Sequence, residues 1–163
     1  MSQSYHKQIL DGMVGVVQGL NLKLPDATTL PNAQVYTQVL PFADATYTLP
    51  CVQVTTAPLA ETLDETEANT DTIGYPNAVT IIVPKNQSLT VADADLFWRQ
   101  QIESVFHLTG PQGITITPIS GGGASLLYFK WEPGAIIDLA LFREANLWAS
   151  AMVFRAFVRK TRP

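Results

Sequence analysis

The chain has 163 residues, enough for about one domain with a core of its own. Hydrophobic residues make up 47% and charged residues 15%, against roughly 25% charged in an average soluble domain. This composition excludes disorder for the chain as a whole and leaves little charge to cover a surface, as where subunits cover one another. A net charge of −4, from 14 acidic and 10 basic residues, argues against a general nucleic-acid binder, which carries a basic excess.

Residues 3–20 read as a helix, because Tyr5, Ile9, Met13, Val16 and Leu20 recur at spacings of four and three. Gly12, Gly15 and Gly19 oppose it, since each costs up to ~1 kcal/mol relative to Ala. They permit close approach of a neighbouring backbone, and the last can lie near a C-cap. Pro25 and Pro31 bracket a turn-rich connection. Gln34 to Leu40 alternates Val35, Thr37 and Val39 with Gln34, Tyr36 and Gln38, a strand with one wet face that Pro41 ends. Tyr47 to Thr56 is a second strand, placed by Pro50 at a sheet edge or made to pair late. Residues 57–76 are acidic, threonine-rich and nearly free of large apolar groups, so a long loop is expected there. Ala78 to Val83 reads as a central strand buried on both faces.

Thr90 followed by Asp93 resembles a capping box and opens a second helix. Its apolar stripe is Ala94, Trp98, Ile102, Val105 and Phe106, with Arg99, Gln100 and Glu103 on the other side; Gly110-Pro111 stops it. Ile114 to Ile119 alternates as a strand, Gly121–Gly123 breaks the chain, and Leu126 to Trp131 forms another strand. Periodicity does not decide residues 135–149. Ala151 to Arg159 places Met152, Phe154, Ala156 and Val158 on one face, and Arg155 and Arg159 on the other. The expected fold class is α+β: a mixed or antiparallel sheet with an N-terminal and a central helix, in one domain over 1–163.

The charges are unevenly placed. Glu61, Asp64, Glu65, Glu67 and Asp71 lie together with no base among them, whereas Arg143, Arg155, Arg159, Lys160 and Arg162 face only Glu144 near the end. Either these are two unrelated solvated stretches, or they are unlike surfaces suited to head-to-tail contact between copies. Trp131, Trp148 and Arg143 are candidate interface anchors by residue type, with ordinary core packing as the rival for the tryptophans.

The chemical motifs are few. The lone Cys51, in an apolar run, reads as a small core residue and allows no internal disulfide. His6 and His107 stand apart from each other and from cysteine, so no metal site is expected. The triple glycine leads neither into a P-loop nor into a dinucleotide fingerprint, no Gly-x-Ser-x-Gly is present, and the acidic stretch lacks the calcium-loop order. No catalytic residue and no cofactor is expected. The opening MSQSYHKQIL has no leader character, and no window is long and apolar enough to span a membrane.

Three stretches carry a resemblance: the amphipathic opening to Leu20, the helix running from Ala92 through Trp98-Arg99 to Phe106, and the closing strand Ala151–Arg159. Their order, around a long acidic segment and a buried strand, resembles the tail terminator (tail completion) proteins of long-tailed bacteriophages. The resemblance covers most of the chain by pattern and carries no catalytic signature. It implies an α+β subunit of a virion neck or tail, made in the host cytoplasm. Six copies would form a homo-oligomeric ring that ends growth of the tail tube and docks to the head-side connector, and DNA would later pass through the lumen. On that basis Glu61, Asp64, Glu65, Glu67 and Asp71 are expected to line the lumen or touch a partner, and Trp131, Arg143, Trp148, Arg155 and Arg159 to lie at the subunit interface. The rivals are another neck component, or a small cytoplasmic α+β enzyme or ligand-binding domain with a pocket near Trp98 and His107.

Overall fold

The computed structural model describes residues 3–38, 47–84, 89–108, 113–119, 122–132 and 146–162, together with Asp138 and Arg143. The fold is α+β, with two helices and a six-stranded mixed sheet among the described residues. Helix α1 is Tyr5–Gly19, a 3-10 turn covers Asn32–Gln34, and strands β1 to β4 are Val35–Gln38, Cys51–Thr56, Thr62–Thr66 and Thr70–Pro84. Helix α2, Leu89–Glu103, runs into a π turn over Ser104–Leu108, and β5 and β6 are Ala124–Glu132 and Leu147–Thr161.

The sheet is organised on its two longest strands. β4 and β6 pair antiparallel from Thr70↔Thr161 to Pro84↔Leu147. One outer edge of β4 is taken by β2 over residues 77–82 and by β3 over residues 71–74. β5 pairs with the C-terminal part of β6, and β1 lies parallel to β2. β2 is therefore internal, between β1 and β4, and its pairing begins just after Pro50.

The helices lie on one face because that face is apolar. It comprises Val52 and Val54 of β2, Val79 and Ile81 of β4, Phe129 of β5, and Met152, Phe154, Ala156 and Val158 of β6, in one cluster with both helices. The alternation expected in the last strand is present, and the strand extends at both ends. Ser4 caps α1 by accepting the Lys7 N–H. The buried face of α1 is Ile9, Leu10, Met13 and Val17, so the stripe rotates away from Val16 and Leu20, which are only partly buried. α2 buries Trp98 and Ile102, and the π turn that follows buries Phe106, as expected. Phe106 packs at 5.1 Å from Phe129 and 5.2 Å from Phe154, tying α2 to β5 and β6.

Three expectations are corrected. Residues 57–76 are not a loop, since they hold β3 and the start of β4. All five residues of β3 are exposed, so no apolar alternation marks the strand, and its order comes from pairing with a long, buried neighbour. Residues 114–119 alternate but join no ladder. They lie extended along α1: Gln8 accepts the Thr117 N–H at 2.6 Å and donates to Thr117 O at 3.1 Å, imitating a strand neighbour. Ile114 also lies where a Cβ at Gly12 would meet its Cγ2 at 2.6 Å, so that glycine is what lets the segment approach. Arg99, expected on the wet side of α2, is 8% exposed and reaches under the helix to β6. The end of the β1 reading beyond Gln38, the Gly110-Pro111 stop, and residues 133–137, 139–142, 144 and 145 lie outside the described residues.

Candidate functional site

The register of the sheet decides where the charges go. Asp71 stands opposite Lys160, and Glu65 lies one strand beyond Thr72, which faces Arg159. The acidic segment and the basic strand are thus laid side by side within one chain. Arg159 bonds Glu65 at 3.4 Å, and Arg162 holds Asp71 through two nitrogens at 2.6 and 3.1 Å. That hydrogen bond, chiefly, holds the Asp71 carboxyl below its usual range and raises the Arg162 guanidinium. Asp64, at the bulge of β3, accepts the Tyr128 hydroxyl at 3.4 Å. Glu61 meets His6 Nε2 at 2.9 Å, and Glu67 accepts the Thr70 hydroxyl at 3.1 Å. The five acids come together along one end of the sheet, each with a partner from its own chain.

Arg155 is the most enclosed cation of that end, at 9% exposure. Its Nε donates to Glu132 at 2.7 Å and its Nη1 to the Ala60 carbonyl at 2.8 Å. The side chain lies over Gly74: a Cβ there would meet Thr62 Oγ1 at 2.5 Å, Arg155 Cδ at 2.8 Å and Phe157 Cε1 at 2.9 Å. Gly74 is the slot through which Arg155 ties β6 to the connection ahead of β3. Sequence reading missed both Glu132 and Gly74. The signal available was only that Gly74 is a small residue amid large ones, which by itself marks a close approach.

The remaining interface candidates are spread out. Trp131 is partly buried against the core on the helix-facing side of β5, and its ring lies 6.1 Å from that of His107, which is exposed. Trp148 packs on the same core and donates to Asp95. Arg143 is exposed. The structure therefore groups Arg155 and Arg159 with the acids; Trp131, one pair along from Arg155, faces the helix side of the sheet, and Trp148 lies toward the other end of β6. Trp98, named for the rival pocket, is 1% exposed and donates its Nε1 to the Lys23 carbonyl at 2.7 Å.

Cys51 is fully buried, and burial pushes its thiol up to about 11, consistent with a packing role. Two shallow grooves follow α1. One of about 650 Å³ is lined by Gly12, Gly15, Val16, Gly19, Leu20 and Val105; the other, of about 430 Å³, by Gln3, Gln8, Asp11 and Thr117. Among the described residues no three His, Cys, Asp or Glu side chains are placed to hold a metal ion, and no helix is long and apolar enough to cross a membrane.

The exposed large apolar side chains are the other feature of the surface. Leu59 (47%) and Leu63 (65%) lie beside the acidic cluster, and Tyr128 (42%) stacks on Phe157 at 4.6 Å on the same end of the sheet. Leu96 and Phe97 are exposed on α2. The edge of the sheet formed by β3 is short, bulged and charged, features that discourage indiscriminate pairing of edge strands. No family model and no curated protein matches the sequence.

Proposed function

We propose that the chain is a non-catalytic structural protein of a bacteriophage neck or tail. It acts as a homo-oligomeric ring, hexameric by the resemblance stated above, at the head-proximal end of the tail tube. On this reading it ends tube growth, docks to the head-side connector and lets DNA through without sequence-specific contacts.

The observation that carries the reading is the end of the sheet built from β3, β5 and the adjoining halves of β4 and β6. Each of its acids has a hydrogen-bond or ion-pair partner within the chain, yet Leu59, Leu63 and Tyr128 remain exposed around them. Large apolar groups held out by an ordered strand pair suit a surface buried on assembly. They suit a DNA-lined channel less well, so between the two roles open for the acidic segment we assign it to contact with a neighbouring protein. Arg155, already committed to Glu132 and Ala60, serves that surface by ordering it.

The test is the mass of the purified protein by light scattering over a concentration series, with electron microscopy of large species, alone and with tail tubes. Closed rings, or a monomer that forms rings only on tubes, support the proposal. In that case Leu63→Asp is expected to reduce assembly while leaving the melting transition in place. A strict monomer indifferent to tubes would overturn the proposal.

A further inference from the structure

α2 meets the sheet across a small polar cluster enclosed in an otherwise apolar contact. Asp95 is 1% exposed, in the middle of α2. Its Oδ2 accepts the Trp148 Nε1–H at 2.9 Å, and its Oδ1 is buried with no hydrogen-bond partner. Arg99 stands one turn along, at the spacing of a helical ion pair, but its Nη1 donates elsewhere: to Ser150 Oγ at 2.8 Å and to the Ala151 carbonyl at 2.9 Å. Arg99 is thus tied to β6, and the carboxyl keeps one donor and one orphan oxygen.

Such an arrangement distinguishes sharply between the two protonation states. An ionised carboxylate out of water needs most of its lone pairs satisfied, and here half the group is bare. A neutral carboxyl loses far less on burial, and its Oδ2 still accepts from the indole. Of the groups that face Asp95, Trp148 and Arg99 favour the charged form and only partly offset the cost of burial. On α2 itself Arg99 is the charge that acts on it, and Glu103, a turn further, acts on Arg99. β6 presents Trp148 and Ser150, neither of them titratable in this range, and the helix-facing residues of β4 nearest that end, Ile81 and Val83, are apolar. His107 lies at the far end of the π turn, exposed.

We infer that Asp95 is a proton-operated seat for α2: with the carboxyl neutral the helix is held firmly on β6, and loss of the proton loosens it. Burial pushes the carboxyl up to about 6, against the opposing pull of the Trp148 hydrogen bond and the Arg99 charge, so the transition falls at mildly acidic pH. The folded value lies above the ordinary 3.8, so the stabilisation is complete below that ordinary value and is lost as the pH rises through about 6.

The experiment is denaturant unfolding of the full chain and of Asp95→Asn at pH 7.5 and 5.0, with hydrogen exchange of α2 amides corrected for intrinsic rates. On passing from pH 7.5 to 5.0 the wild-type folding equilibrium is expected to gain about tenfold relative to the variant, and α2 amides to gain protection in the wild type alone. An identical pH response in both proteins would overturn the inference. NMR titration of the Asp95 carboxyl decides independently of whether the Asn variant folds: a midpoint near 6 supports the inference, and one near 4 overturns it. Trp148→Phe removes a donor that favours the charged form and is expected to move that midpoint up; an unmoved midpoint also counts against the seat.

Discussion

At one end of the β4–β6 ribbon, residues 77–84 and 147–154 are flanked by β2 and covered by helices, and the side chains toward the helices are mostly aliphatic or aromatic. At the other end, residues 70–76 and 155–161 are flanked by β3 and β5, and much of the holding is done by Arg155–Glu132, Arg159–Glu65 and Arg162–Asp71. The same two strands thus run from a region ordered by exclusion of water into one where Tyr75, Ala156 and Val158 still lie in the core and charge pairs are added along the edges. Burial is worth about 25 cal/mol per Å² and is not subject to charge screening, whereas exposed pairs are worth about 0–1 kcal/mol and are screened.

The largest expected effect breaks the covered end. Trp98 is essentially fully buried, packs in the main core and bonds the Lys23 carbonyl. Trp98→Ala removes the ring and strands that carbonyl, so a loss of about 3–5 kcal/mol is expected from denaturant unfolding. A loss below about 1 kcal/mol would show that α2 does not anchor this end.

A smaller effect sharpens the contrast at the charged end. Gly74→Ala places a Cβ within 2.9 Å of Thr62, Arg155 and Phe157 together, and overpacking of this kind costs about 1–3 kcal/mol. Thr62 offers the nearest atom, at 2.5 Å, so Thr62→Ala is expected to recover part of the loss in the double variant. Strict additivity in the double-mutant cycle would show that the clash with Thr62 is not what the added methyl costs.

These cases explain what was legible in the sequence. The helices and the buried strands carry hydrophobic periodicity, and Phe154, Met152, Trp98 and Ile102 lie where that periodicity puts them. β3 has no such signal: Thr62, Leu63, Asp64, Glu65 and Thr66 are all exposed, and the strand exists because β4 offers it a partner. Pairing of acid with base was invisible for the same reason, since Glu65 and Arg159 are 94 residues apart and meet only through register. Alternation misled at 114–119, where a helix side chain, Gln8, supplies the bonds that a neighbouring strand would. Asp95 and Arg99 carry charges on a helix that otherwise buries its apolar side, so a reading by polarity sends them to solvent, and their burial is evident only from the partners on β6.

The smallest expected effect tests whether the charges at the open end matter at all. Asp71 is held below the ordinary carboxylate value of 3.8, first by its hydrogen bond with Arg162. A carboxyl lowered on folding contributes stability that is present above the ordinary value and lost as the pH falls through the lowered one. Asp71→Asn abolishes that contribution at every pH. The wild type is therefore expected to melt slightly above the variant near neutral pH, with the gap closing on acidification. Added salt is expected to narrow the gap near neutral pH, because Arg162 is largely exposed and the pair is reachable by ions. This response runs opposite to that of Asp95, whose contribution grows as the pH falls through about 6. One chain should then show two pH-dependent increments of opposite sign, one from each end of the ribbon. A gap between the wild type and Asp71→Asn that ignores both pH and salt would mean that this end of the β4–β6 ribbon is held by its backbone pairing alone.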